Sequence, residues 1–191
     1  SLFTAALIMW SVVSKAQWTS ATMIAGRSRL SAASAGNKAG FFGGIGMMSN
    51  PFNSVDLYNS STLGWTNATI SLSRTNSTAA SIGSKIFVAG GSNDWILSVY
   101  DRVDIYNTAN NSWTTANLSA PRAYIAAASS GNRILFAGGA HQMMGVDYST
   151  VDIYDTVTAA WTSSNLSVSR YAIAAAGAAS KIVFAGGKNT A

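Results

Sequence analysis

The sequence predicts an all-β protein built from repeated four-stranded antiparallel units, and three observations carry that prediction. Landmark residues recur at a nearly constant period. The stretches between them read as short strands separated by turn formers. The composition is poor in the residues that build exposed helices.

The composition sets the limits. The chain has 191 residues, 48% of them apolar and only 10% charged. That length fits one domain with a sizeable core. All seven acids are Asp, and Gly, Ser, Thr, Asn and Ala are abundant. The net charge is +5, but the twelve basic residues form no run or cluster, so no nucleic-acid partner is expected. Cysteine is absent, which removes disulfides, thiolate metal sites and thiol nucleophiles together.

Internal repetition decides the architecture. Glycine doublets stand at Gly43-Gly44, Gly90-Gly91, Gly138-Gly139 and Gly186-Gly187, at spacings of 47, 48 and 48. Trp18, Trp65, Trp113 and Trp161 keep the same spacings. Arg27, Arg74, Arg122 and Arg170 each follow a tryptophan by nine residues. "VDLY" at Val55 to Tyr58 returns as "VDIY" at Val103 to Tyr106 and at Val151 to Tyr154. Four landmarks in one register do not arise by chance.

Each copy reads as four strands in order. The first is a small-residue run after the arginine, such as "YIAAASSG" at Tyr124 to Gly131. The second is apolar and ends in the doublet, as in "KIFVAGG", "RILFAGG" and "KIVFAGG". The third is the "VDIY" strand, with Val and Ile on one face and Asp and Tyr on the other. The fourth carries the tryptophan. Turn formers such as "SGN" and "NTANNS" separate them.

Four antiparallel strands in 40 to 50 residues make a β-propeller blade. The arginine, the apolar strand closing in Gly-Gly, the later tyrosine and the spaced tryptophan resemble the kelch repeat across residues 18 to 187. Only Pro121-Arg122 keeps the proline that often precedes the arginine in that family, and the first copy closes its second strand as "GFFGG". The resemblance implies small residues on the crowded inner strands. Glycines are expected where the second strand turns away, and tryptophans in the gaps between blades.

Complete blades are expected at about 27–65, 74–113 and 122–161, within a propeller domain of residues 17–191. Residues 170–187 supply a partial fourth, completed by the strand around Trp18 or belonging to a larger ring. The kelch resemblance favours part of a six- or seven-bladed propeller, while four periods of 48 residues would suit a closed four-bladed ring. Residues 1–16 read as a signal-peptide remnant or an edge strand. Their apolar run, "LFTAALIMWSVV", falls short of the roughly 20 residues of a spanning helix, so no stable transmembrane segment is expected. Sequons begin at Asn59, Asn67, Asn76, Asn110, Asn117 and Asn165. Together with the N-terminal run they point to a secreted or cell-surface glycoprotein.

Catalytic chemistry is thin. His141 is the one histidine, in the loop "AHQMMGVDYST", where a solvated side chain is the ordinary expectation. Some propellers that the chain resembles are copper-radical oxidases, which use a Cys-linked Tyr and two His. With no Cys and one His, that site cannot form here. No phosphate loop, nucleophile motif, metal-ligand cluster or cofactor signature is present. A non-enzymatic module is expected.

Candidate ligand-binding residues are Arg27, Arg74, Arg122 and Arg170, with Trp95, His141, Met143 and Met144 on the long loops between second and third strands. In some kelch proteins the matching arginines meet acidic peptides, and guanidinium suits carboxylate. The competing role is structural, each arginine joining adjacent blades through backbone or through Asp56, Asp104 and Asp152. Two functions follow: an extracellular adhesion or binding module for protein or glycan, or a structural protein assembling into oligomers or fibres through exposed blade edges.

Overall fold

A computed structural model describes residues 21–47, 50–93 and 98–189. Trp95, the segment 1–16 and the strand around Trp18 lie outside the described residues. Strands β1 (Ser31–Ala35), β2 (Lys38–Phe42), β3 (Ser54–Asn59) and β4 (Gly64–Thr69) form one antiparallel sheet in sequence order. A second sheet repeats it with β5 (Thr78–Ile82), β6 (Lys85–Ala89), β7 (Arg102–Asn107) and β8 (Ser112–Asn117). A third joins β9 (Ala126–Ser130) and β10 (Arg133–Ala137) to β13 (Thr150–Asp155) and β14 (Ala160–Asn165). Its β10–β13 loop adds a small hairpin of β11 (Ala140–His141) and β12 (Val146–Asp147) around a 3-10 turn at Gln142–Met144. Finally β15 (Ala174–Ala178) and β16 (Lys181–Ala185) pair as a two-stranded sheet. The result is a set of propeller blades.

Strand alternation explains how the blades bind one another. On β6, Ile86 and Val88 join Phe42, Val55 and Leu57 in the core between the first and second sheets. Phe87 and Ala89 point the other way, into a core with Ile134, Phe136 and Tyr154 between the second and third. The second sheet therefore serves a core on either face, as a side-chain period of two allows.

The tryptophans follow the same geometry. Trp113 packs on Tyr106 of its own sheet and Phe42 of the preceding one, with ring centroids 4.7 and 6.4 Å away. Trp161 lies against Tyr154 and Phe87 at 5.2 and 6.4 Å. Trp65 meets only Phe41 and Tyr58 of its own sheet among the described residues, and it stays 42% exposed. The interblade role expected of every tryptophan holds for the two that have a described blade before them.

The innermost strands β1, β5, β9 and β15 lie side by side. Ala and Ser at these positions let the backbones approach, and the serines stitch them. Ser81 donates its hydroxyl to the Ser34 carbonyl at 2.6 Å, and Ser129 to the Ser81 carbonyl at 2.7 Å. The glycine doublets are contact points as well as turns. Gly138 has φ +64°, and a Cβ built there would stand 2.3 Å from the Arg170 carbonyl oxygen. The next amide, Gly139, donates to that same carbonyl at 3.0 Å. Only glycine allows the following blade to dock there.

Candidate functional site

The segment linking each blade to the next carries the arginine. In the second sheet, Arg74 donates through one terminal nitrogen to the Arg102 carbonyl at 3.0 Å. Its other terminal nitrogen reaches the Val88 carbonyl at 3.0 Å and Asp104 Oδ2 at 2.5 Å. Asp104 also accepts from the Ser71 amide at 2.9 Å, so one carboxylate holds the link from β4 to β5 at two points. Arg122 repeats the arrangement: it reaches Asp152 at 2.6 Å and the carbonyls of Gly138, Ala120 and Phe136 at 2.8, 2.9 and 3.3 Å. Arg27 pairs with Asp56 at 2.5 Å and donates to the Ser54 hydroxyl.

All three side chains are fully buried, with their aspartates 4–5% exposed. Burial pulls the Arg74 guanidinium below its usual range, and Asp104 opposes that shift. The groups neutralise each other in a place that water does not reach. Arg27, Arg74 and Arg122 thus present no guanidinium donor to a ligand at the surface.

Arg170 differs from the others. It donates to the Gly186 carbonyl at 2.6 Å, and no carboxylate pairs with it among the described residues. His141 also departs from expectation. It is only 9% exposed, on strand β11 of the hairpin, and its Nδ1 has no hydrogen-bond partner among the described residues. Met143 and Met144, on the 3-10 turn beyond it, are 62% and 72% exposed. Among the described residues no three His, Cys, Asp or Glu side chains gather as a metal-holding group.

A further register, which residue types do not mark, lies two residues after each arginine. Arg29, Asn76, Tyr124 and Ala172 all adopt positive φ, at 53°, 55°, 58° and 51°. Each is hydrogen-bonded to the next across a blade boundary. Asn76 N donates to Arg29 O, Tyr124 N to Asn76 O, and Ala172 N to Tyr124 O, each at 3.2 Å. These four residues make a backbone lip just before the inner strands. Left-handed backbone at four non-glycine residues is strained by order 1 kcal/mol or more each, and such strain concentrates at functional sites.

The backbone of the lip repeats while its side chains do not. Tyr124 faces Tyr171 with ring centroids 6.1 Å apart. Burial pushes the Tyr124 hydroxyl above the ordinary tyrosine range, and the neighbouring Arg29 charge opposes that shift. The hairpin rises from the same end of the third sheet, since Ala123 bridges Ala140. A cation, an amide and two aromatic rings are thereby set around one edge, with the exposed methionines nearby.

Comparisons with known proteins agree with this architecture. The family model for the KLHDC2/KLHL20/DRC7 Kelch-repeats domain matches residues 5–189. The solved structure of YjhT superposes with a TM-score of 0.69 at 19% identity, over 84% of this chain and 59% of that one. The chain thus spans less than two thirds of that structure, and the likeness is one of fold. No curated protein sequence matches the chain. Blades, buried arginines and family match converge: the chain belongs to the KLHDC2/KLHL20/DRC7 Kelch-repeats domain family.

Proposed function

We propose that this chain is an extracellular recognition module that binds a protein or glycan ligand at the lip and hairpin end of its blades. Kelch-repeat propellers are in general non-enzymatic protein-interaction modules, which supplies the coarse class. The lip carries the finer reading: a shared strained backbone presents Arg29, Asn76, Tyr124 and Ala172, four unlike side chains, at four equivalent positions. Discrimination needs differences between blades, and Tyr and Arg are the usual anchors of binding surfaces. Met143 and Met144 add adaptable apolar contact.

Export is supported by the sequons and the N-terminal apolar run. Asn110 is the best placed of the six: exposed in the β7–β8 turn, it holds the Ser112 amide and hydroxyl with Oδ1 at 3.1 and 2.7 Å. That leaves Nδ2 for a glycan. Asn67 is the worst placed, because its Nδ2 donates to Asp56 at 2.9 Å. Glycopeptide mass spectrometry after secretion from a eukaryotic host tests this. Modification at Asn110 supports export, and unmodified sequons throughout would count against it.

The binding test uses selection of displayed random peptides and a glycan array on the wild-type chain. Ligands so found should lose affinity at least tenfold on the Arg29→Ala/Tyr124→Ala variant, which sits away from the cores. Unchanged affinity would refute the lip as the site. A second reading, assembly of chains by strand addition, is favoured by β16, which pairs only with β15 among the described residues and leaves Val183 59% exposed. Light scattering of the purified chain tests it, and a monomer at all concentrations would refute it.

A further inference from the structure

We infer that the groove between the first two blades is a second binding site, for a hexuronate, a sugar ring that carries a carboxylate. The groove offers about 450 Å³, within the roughly 300–1,000 Å³ of small-molecule sites. Lys38, Leu57 and Thr66 of the first blade line it together with Tyr106, Asn111 and Trp113 of the second. All of its lining belongs to these two blades, and each has its four strands among the described residues. It lies at the end of the strands away from the lip, since Lys38 opens β2 whereas Arg29 precedes β1.

The charge in the groove is unbalanced. Lys38 Nζ donates to the Tyr106 hydroxyl at 3.2 Å and to Asn111 Oδ1, and it stands 5.5 Å from the centroid of the Tyr106 ring. These partners are neutral, and no carboxylate pairs with Lys38 among the described residues. The third blade shows the difference. There Arg133 opens the second strand, lies opposite Asp155 and pairs with it at 3.2 Å. In the first blade the residue opposite Lys38 is Asn59. An ammonium with two neutral acceptors keeps a third N–H, and a carboxylate is the acceptor that suits it.

The rest of the lining suits a sugar ring. Leu57 and Trp113 supply apolar surface for its C–H groups, and Thr66 supplies a hydroxyl. Asn111 Oδ1 accepts from Lys38 and from the Tyr106 hydroxyl, the latter at 2.9 Å, which leaves Nδ2 to donate to a sugar oxygen. The second boundary does not repeat the set. Lys85 stands over Tyr154 at 5.8 Å, but Ala159 takes the place of Asn111. Phe136, where the first boundary has Val88, packs there with Phe87 and Trp161.

The experiment is a saturation-transfer NMR titration of the full chain with the methyl glycosides of glucuronate and galacturonate. Methyl glucoside, methyl galactoside and acetate are the comparisons. At least one uronide should bind with a millimolar or lower Kd, tenfold or more tightly than its neutral counterpart and than acetate. The Lys38→Met variant, which keeps the stem, should erase the preference for uronide over neutral glycoside. Asn111→Ala should weaken the uronide severalfold, and the backbone accepts that residue, since Ala159 holds φ 54° at the equivalent turn position. Arg29→Ala/Tyr124→Ala should leave uronide binding unchanged, so this site and the lip fail separately. No saturable binding of either uronide at tens of millimolar, or equal affinity for uronide and neutral glycoside, would overturn the inference. So would acetate binding as tightly as the uronide, a preference that survives Lys38→Met, or loss of binding in the lip variant. The comparison of ligands on the wild-type chain decides if a variant fails to fold by circular dichroism.

Discussion

Replacing Arg122 with alanine tests the claim that the arginine register holds blades together. The substitution removes the donors to Asp152 and to the carbonyls of Gly138, Ala120 and Phe136. It leaves the Asp152 carboxylate, 4% exposed, with the Ser119 amide at 3.1 Å. Stranding a buried charge costs about 3–5 kcal/mol. For a domain whose total stability is about 5–15 kcal/mol, that is a large share. With a urea m-value of about 2–3 kcal/mol/M, the midpoint should fall by at least about 1 M. Urea titrations followed by tryptophan fluorescence and circular dichroism, with coincident transitions, give the number. Arg133→Ala is the control, because its pair with Asp155 is 3.2 Å long and its side chain is 62% exposed. That change should cost under about 1 kcal/mol. The Arg122→Met/Asp152→Leu double variant should recover at least about 1.5 kcal/mol of the single-variant loss, since neither charge is left alone. If Arg122→Ala unfolds at the same midpoint as Arg133→Ala, the clamp is not what joins the blades.

Three further outcomes are expected. Gly138→Ala should destabilise by about 2 kcal/mol or more, read from the same titrations, because it imposes a positive φ and a 2.3 Å approach to the Arg170 carbonyl. Trp113→Ala should cost about 3 kcal/mol and Trp65→Ala about 1 kcal/mol, since only Trp113 spans two described blades; similar costs would contradict the packing. The Val157 amide holds the Asp155 carboxyl below the ordinary aspartate range, with Arg133 assisting. Its contribution to stability is full above about pH 4 and fades as pH falls through the lowered folded value, so Asp155→Asn should flatten that acid limb. An Asp155 titration at the ordinary value in carbon-detected NMR would remove that expectation.

Strand order and period were legible in the sequence because every copy needs the same residues for the same physical reasons. A doublet glycine must admit the next blade's carbonyl, and an apolar second strand must feed a core on each face. The arginines were legible as a register but not as a pairing. About 30 residues separate each from its Asp, and spacing alone leaves ligand contact and blade stitching open. The lip was invisible, because Arg29, Asn76, Tyr124 and Ala172 share no chemistry. Their constant offset of two from the arginines was the one signal that could have revealed it. The burial of His141 was hidden for a different reason: a loop position in the sequence does not reveal that its residue pairs within a hairpin, His141 with Val146.

The lip also constrains how this protein can change. Its four positions are held in left-handed backbone by bonds between main-chain atoms, so side chains there can be exchanged while the bonding pattern stays intact. The conformation nevertheless excludes part of the repertoire. β-branched residues fit it badly, whereas Asn, Asp, Gly and unbranched side chains fit it better. If the lip binds as proposed, its recognition can be rewritten one blade at a time, in a restricted alphabet, without disturbing the cores.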